Sequence, residues 1–233
     1  MISMGRRSQR VFRISALLIP LLAVVDRPSA SQAPGVDELM DHIARNVDGL
    51  RAVRARFRQE VEMVLMGEIR RFEGNVSYMH PDRLRLEYDE PKGQLLVCDG
   101  AFFWMVLTDG MRPQVFKTPV GEKIGGFISR TALKILTEGH EVEYGGEEIV
   151  EEEPCYRLSF VPKAGAQPGL FQHLSLWVGQ EDLLTRRISY DDLAGNRITY
   201  IFSAWREVDP FPDGTFSFVP PPEADLFEDV HPR

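Results

Sequence analysis

Residues 53–63 read Val-Arg-Ala-Arg-Phe-Arg-Gln-Glu-Val-Glu-Met. Val53, Ala55, Phe57, Gln59, Val61 and Met63 alternate with Arg54, Arg56, Arg58, Glu60 and Glu62. Successive side chains of a strand point to opposite faces, so this is a long strand with one apolar face and one wet face. A helix repeats its apolar positions every three to four residues and would scatter these around its circumference.

The same period runs downstream. Phe72, Gly74, Val76 and Tyr78 form one series, and Leu84, Leu86 and Tyr88 form the next, set against Arg83, Arg85 and Glu87. His80-Pro81-Asp82, Glu90-Pro91-Lys92-Gly93 and Asp99-Gly100 supply turn chemistry between them. Further strands are expected at 93–98, 101–107, 113–117, 141–150, 155–161, 170–178, 184–191 and 196–206, with Ala194-Gly195-Asn196 as a tight hairpin connection. The Pro220-Pro221-Pro222 run ends any strand near Phe216 and Phe218.

Two segments break this rhythm. Upstream, Val36, Leu39, Met40, Ile43, Val47 and Leu50 fall on one helical stripe, and Asp37, Glu38 and Asp41 complement the dipole at its N-terminus. Residues 122–138 approach a helical period through Ile124, Phe127, Ile128, Leu133, Ile135 and Leu136, although Gly125-Gly126 weakens it. The expected fold class is therefore mainly β: one antiparallel sheet that curls, with helices over its open apolar face. A solid sandwich without a cavity satisfies the same pattern.

The first thirty residues stand outside that core. Arg6, Arg7, Arg10 and Arg13 precede the apolar run 14–25, and Ser29, Ala30, Ser31 and Ala33 follow. This is the three-part pattern of a secretory signal peptide, too short to span a bilayer, with cleavage expected after Ala30. An uncleaved amphipathic anchor is the other reading. The expected organisation is a signal peptide, 1–30, and a single domain, 31–233. The chain has 27 basic and 35 acidic side chains, and removing 1–30 takes away five arginines and one aspartate, which leaves a net charge of −12. Such a surface repels nucleic acid and anionic headgroups.

Cys98 and Cys155 are the two cysteines, and neither follows the apolar run as a lipid-bearing residue would. An exported protein permits a disulfide between them, and two buried thiols satisfy the sequence as well. The five histidines, 42, 80, 140, 173 and 231, show no H-E-x-x-H spacing, and neither C-x-x-C nor G-x-S-x-G occurs. Gly125-Gly126 and Gly145-Gly146 lack the features of a phosphate loop. The acidic run Glu147, Glu148, Glu151, Glu152 and Glu153 lacks EF-hand spacing and reads as a solvated turn before a cation site. These patterns point to a protein that is not an enzyme and uses neither metal nor cofactor; the alternative is a hydrolase whose catalytic group is assembled from the scattered acids and histidines.

Several motifs occur in a telling order: Phe57-x-Gln59, then Phe72-Glu73-Gly74-x-Val76-x-Tyr78-x-x-Pro81-Asp82-x-Leu84-Arg85, then Tyr88-x-x-Pro91, then Leu96-Val97-x-Asp99-Gly100-x-x-x-Trp104, and finally Phe216-x-Phe218-x-Pro220-Pro221. In order and spacing the chain, from 36 to about 228, resembles the LolA family of periplasmic lipoprotein carriers. The resemblance implies an unclosed antiparallel β-barrel with a helical lid and no hydrolytic activity. It implies acylated lipoprotein cargo, taken from an inner-membrane ABC-type releasing complex and passed to an outer-membrane receptor that is itself a lipoprotein. A carrier of this kind is expected to be monomeric. A receptor-type relative would carry a lipidated N-terminal Cys, a sensor of the same fold would carry further domains, and a carrier of free lipid would need the same apolar face.

The physics suits carriage. At about 0.8 kcal/mol per methylene, a long acyl chain left in water costs on the order of 10 kcal/mol. By parity and resemblance, Phe57, Phe72, Val76, Tyr78, Leu84, Leu86, Tyr88 and Trp104 are the candidate cavity residues. Ile43, Val47, Phe127, Ile128, Leu133 and Leu136 are the candidate lid. Core packing without a ligand explains the same apolar positions. Where relatives place a latch Arg before the turn proline, this chain has His80, which keeps a donor but lacks the guanidinium fork and responds to pH near neutrality. His80 is the candidate lid latch, with an ordinary turn histidine as the alternative.

Overall fold

The computed structural model describes residues 35–108, 112–120, 130–164 and 171–228. Helix α1 spans Val36–Gly49 and is followed at once by strands β1 (Ala52–Met63), β2 (Glu68–Met79), β3 (Arg83–Tyr88), β4 (Leu95–Cys98), β5 (Phe102–Leu107) and β6 (Gln114–Pro119). Helix α2 (Arg130–Gly139) leads into β7 (His140–Val150), β8 (Glu153–Pro162), β9 (Phe171–Gly179), β10 (Thr185–Asp192) and β11 (Arg197–Glu207), and a short β12 (Asp225–Glu228) closes the described chain. Among the described residues no helix is long and apolar enough to cross a membrane.

Two antiparallel meanders, β1 to β6 and β7 to β11, share one sheet because β1 pairs with β11, Phe57 opposite Phe202 and Gln59 opposite Tyr200. The sheet order is β12-β6-β5-β4-β3-β2-β1-β11-β10-β9-β8-β7, so β12 and β7 are its two edges and the sheet is unclosed. The strands expected from alternation are all present, with ends shifted by a few residues. Two features differ from expectation. No strand runs through Phe216 and Phe218, which lie in a turn and an irregular stretch, and beyond the proline run the chain forms β12, whose Asp225 N–H donates to Pro113 O (2.9 Å). And β12 pairs with β6 in parallel, so the sheet is not wholly antiparallel. In the expected helical stretch 122–138 the described helix begins only at Arg130; Phe127 and Ile128 lie outside the described residues.

The alternation of β1 decides which face is inside. Val53, Ala55 and Phe57 are buried, while Arg54 and Arg58 are exposed. The buried face continues through Val76 and Tyr78 of β2, Leu84, Leu86 and Tyr88 of β3, Leu158 and Phe160 of β8, Leu174, Leu176 and Val178 of β9, and Ile198, Tyr200 and Phe202 of β11. Each such side chain contributes about 1.5–3 kcal/mol when fully removed from water. Helices α1 and α2 touch one another and pack over the β7–β8 side. Leu39, Ile43 and Val47 of α1 and Leu133 and Leu136 of α2 join the same apolar cluster. Gly74 allows that packing: a Cβ there would collide with the Glu87 carbonyl oxygen and come within 2.7 Å of the Phe57 ring.

The outer face has smaller clusters. Val97, Trp104, Val106 and Val115 are covered by Phe218 and Ala224 of the C-terminal segment, and Ala52 packs with Phe211 and Phe216. The Phe216-x-Phe218 motif thus straps the segment across the outside of the sheet.

Candidate functional site

The inner face is the candidate site, and its largely aliphatic wall carries a group of touching aromatic rings. The Phe57 ring meets the edge of Tyr88 (centroids 5.0 Å apart), Phe72 meets Tyr88 at 6.0 Å, and Tyr200 stacks on Phe202 at 6.2 Å. Such pairs add packing energy beyond their buried area. Of the eight cavity candidates, Phe57, Val76, Tyr78, Leu84, Leu86 and Tyr88 are all buried in this one cluster, and Phe72 packs against it half-buried.

Trp104 departs from the group. It lies in the separate outer cluster, where its ring faces Phe218 (5.4 Å) and its indole N–H donates to Asp99 Oδ2 (2.9 Å). The reason is parity within β5. Phe103, opposite Cys98, packs against the inner cluster, so its neighbour Trp104 must point outward. Of the lid candidates, Ile43, Val47, Leu133 and Leu136 pack onto the inner cluster. His80 is exposed in the β2–β3 turn, its backbone N–H donates to Arg51 O (3.0 Å), and its ring makes no hydrogen bond among the described residues. The neighbouring Tyr78 hydroxyl donates to Pro81 O (2.8 Å).

Sequence reading passed over two polar features. First, Gln59 interrupts the apolar parity of β1 and lies within the wall. Tyr88 OH donates to Gln59 Oε1 (2.8 Å), Gln59 Nε2 donates to Tyr200 OH (2.8 Å), and the two hydroxyls lie 3.4 Å apart. Burial pushes both hydroxyls up, Tyr200 well above the ordinary tyrosine value, so both remain protonated. The signal was present in the lone glutamine on an apolar face. Second, Asn46 on α1 donates through Nδ2 to Asp182 O (2.8 Å) in the β9–β10 turn. That turn is itself held by Arg186, which is buried and donates to Glu153 Oε2 (2.6 Å) and Asp182 Oδ2 (2.8 Å). Asn46 tethers the helix to one end of the sheet, a contact that no local pattern announces.

The acidic run is engaged by cations of the chain itself. Glu148 pairs with Arg157 (3.0 Å) and accepts from the Trp177 indole, Glu151 pairs with Arg58 (2.6 Å), and Glu153 pairs with Arg186. Glu151 and Glu152 stay exposed in the β7–β8 turn, as expected, while Glu147 and Glu148 belong to β7. Cys98 and Cys155 are both buried free thiols. They lie in different clusters, Cys98 in the inner one and Cys155 with Val150 and Trp177.

An unclosed sheet curled about one apolar face, with helices packed over that face, defines the class of half-barrels with a helical cover. Within that class the chain belongs to the LolA family: the family model described as outer membrane lipoprotein carrier protein LolA matches residues 48–219. Its similarity to known relatives is consistent in length. An outer-membrane lipoprotein carrier protein of Leptothrix cholodnii is 27% identical over 226 residues, 97% of this chain and 99% of that protein. One from Xanthomonas oryzae pv. oryzae is 27% identical over 183 residues, 78% of this chain and 85% of that protein. Among solved structures, an uncharacterized conserved protein from Thermus thermophilus is similar with a TM-score of 0.52 at 13% identity, covering 82% of this chain and 98% of that one. That likeness speaks to the fold alone.

Proposed function

We propose that this protein is a periplasmic carrier that shelters the acyl chains of lipoproteins against its inner face. The observation that carries this reading is the continuous apolar wall shared by both meanders, backed by a charged outer face. An acyl chain loses about 0.8 kcal/mol of stabilisation per methylene exposed, so a diffusing lipoprotein needs such a shelter. The role is one of binding, without chemistry on the cargo. In this reading residues 1–30 direct export and are removed after Ala30, and residues 31–233 form the working domain. Cargo is received from an inner-membrane ABC-type releasing complex and given to an outer-membrane receptor lipoprotein.

Helices α1 and α2 are the proposed lid, since their apolar stripes lie on the face that cargo would occupy. His80 is the proposed latch, standing in the turn next to Pro81. A His80→Ala variant should release bound lipid faster than wild type. Equal release by the two would remove His80 from the mechanism.

The test of the whole reading is native mass spectrometry with lipid extraction on protein purified from the periplasm. Acylated protein or peptide should co-purify and be lost in Leu84→Glu or Leu86→Glu, each of which places a carboxylate in the apolar wall. Bound phospholipid or fatty acid alone would indicate a carrier of free lipid. A protein that is always empty and takes up no apolar dye would defeat the proposal.

A further inference from the structure

The Gln59–Tyr88–Tyr200 group sits in a place where polarity needs an explanation. Tyr88 and Tyr200 are buried among Phe57, Phe72 and Phe202. Polar groups there cost stability unless fully bonded. The three side chains carry four polar hydrogens. One, from Tyr88, is well used on Gln59 Oε1, and one from Gln59 is well used on Tyr200. The hydrogen bond described for the Tyr200 proton is to Tyr88 OH at 3.4 Å, beyond the usual O–H···O range of about 2.5–3.0 Å, with Tyr190 close by in the same wall. The second amide hydrogen of Gln59 has no acceptor among the described residues. Gln59 is only part-buried, so the donor that the group presents to the apolar interior is the Tyr200 hydroxyl.

Charge narrows what it could meet. Among the described residues no lysine or arginine bonds to Gln59, Tyr88 or Tyr200. An anion brought here would be desolvated without a counter-charge. A neutral acceptor would not.

We propose that Gln59, Tyr88 and Tyr200 form a donor site for a neutral carbonyl, the ester or amide that joins an acyl chain to its head group. This rests on the carrier reading above and deepens it: the interior recognises the linkage as well as the chain, and favours linked acyl chains over free fatty acid. The site also orients the cargo. Gln59 lies on β1 toward the β1–β2 hairpin, while Phe57, opposite Phe202, and then Ala55 lie progressively further from it. The chain then extends along Phe57 and Phe202 toward Tyr78, and the head group faces the hairpin end.

The experiment is displacement of Nile red from the purified protein by methyl palmitate, hexadecane and palmitate, in wild type, Tyr200→Phe and Gln59→Leu. Wild type should prefer methyl palmitate to hexadecane. Tyr200→Phe should weaken methyl palmitate about fivefold, the scale of one hydrogen bond, and leave hexadecane unchanged. The infrared carbonyl band of ¹³C-labelled methyl palmitate should move to lower frequency on binding wild type, and less on binding either variant. Equal loss for ester and alkane, or an unmoved carbonyl band in wild type, overturns the proposal and makes the group purely structural. If neither variant folds, the wild-type band alone decides. If no alkyl probe displaces the dye from folded wild type, the carrier reading fails and this site with it.

Discussion

Asp99 illustrates how much one side chain can organise at the end of a strand. Its Oδ1 accepts from the backbone N–H groups of Ala101 (2.8 Å) and Phe102 (2.7 Å), and its Oδ2 accepts from the Trp104 indole (2.9 Å). Burial alone would raise its carboxyl, but the hydrogen bonds from Phe102, Trp104 and Ala101 outweigh burial and hold it below the ordinary value. A group whose folded value is depressed adds stability above its unfolded value and loses it as pH falls through the folded one. Thermal melts should therefore show wild type losing stability as acid passes below the ordinary carboxylate range. Asp99→Asn should be less stable at neutral pH and shed less on acidification. Identical acid profiles for the two proteins would show that this turn does not sense pH.

Among elements, α1 is held to the sheet mainly by one apolar face. Its apolar stripe of Leu39, Ile43 and Val47 rests on the inner face, and no side chain caps its N-terminus. One polar tie is Asn46 to the Asp182 carbonyl, at a turn anchored by Arg186, and Asp48 of the same helix is engaged as well. Removing the Asn46 bond should cost about 1 kcal/mol. In Asn46→Ala, amide hydrogen exchange of α1 should quicken about fivefold while β9 and β10 keep their protection. If exchange of α1 is unchanged, the Asn46 bond does not hold the helix.

For the molecule as a whole, the sheet has two faces with separate duties. The inner face gathers strands of both meanders into one cluster, and the outer face is strapped by the C-terminal segment through Phe216 and Phe218. Adjacent residues of β5 report on the two faces separately. Phe103→Glu should abolish uptake of an apolar dye, because it charges the inner wall. Trp104→Phe should lower the melting temperature, through loss of the Asp99 bond, and leave dye uptake intact. Loss of uptake in both variants, with both folded, would mean that the faces are not independent.

Much of this is legible in the sequence alone. Period-two alternation marked strands from Val53 onward, because burial on one side of a sheet forces every second residue to be apolar. The stripe from Val36 to Leu50 marked the helix for the corresponding reason. The inward set from Phe57 to Tyr88 followed from the same parity, and the order of motifs pointed to the family. Other features depended on which strands meet. Trp104 read as a wall residue because an aromatic in an all-apolar strand gives no parity, and only the pairing of Cys98 with Phe103 turned it outward. Strand β12 is four residues beyond a proline run, too short to show a period, and exists because β6 offers it an unpaired edge. The donor group of Gln59, Tyr88 and Tyr200 joins residues from three strands, brought together by the pairing of β1 with β11 and by the curl of the sheet. Sequence determined what each strand presents on each face, since that is a local matter of alternation. The tertiary structure decided which faces meet and which polar atoms find partners, since that depends on long-range pairing which no single segment encodes.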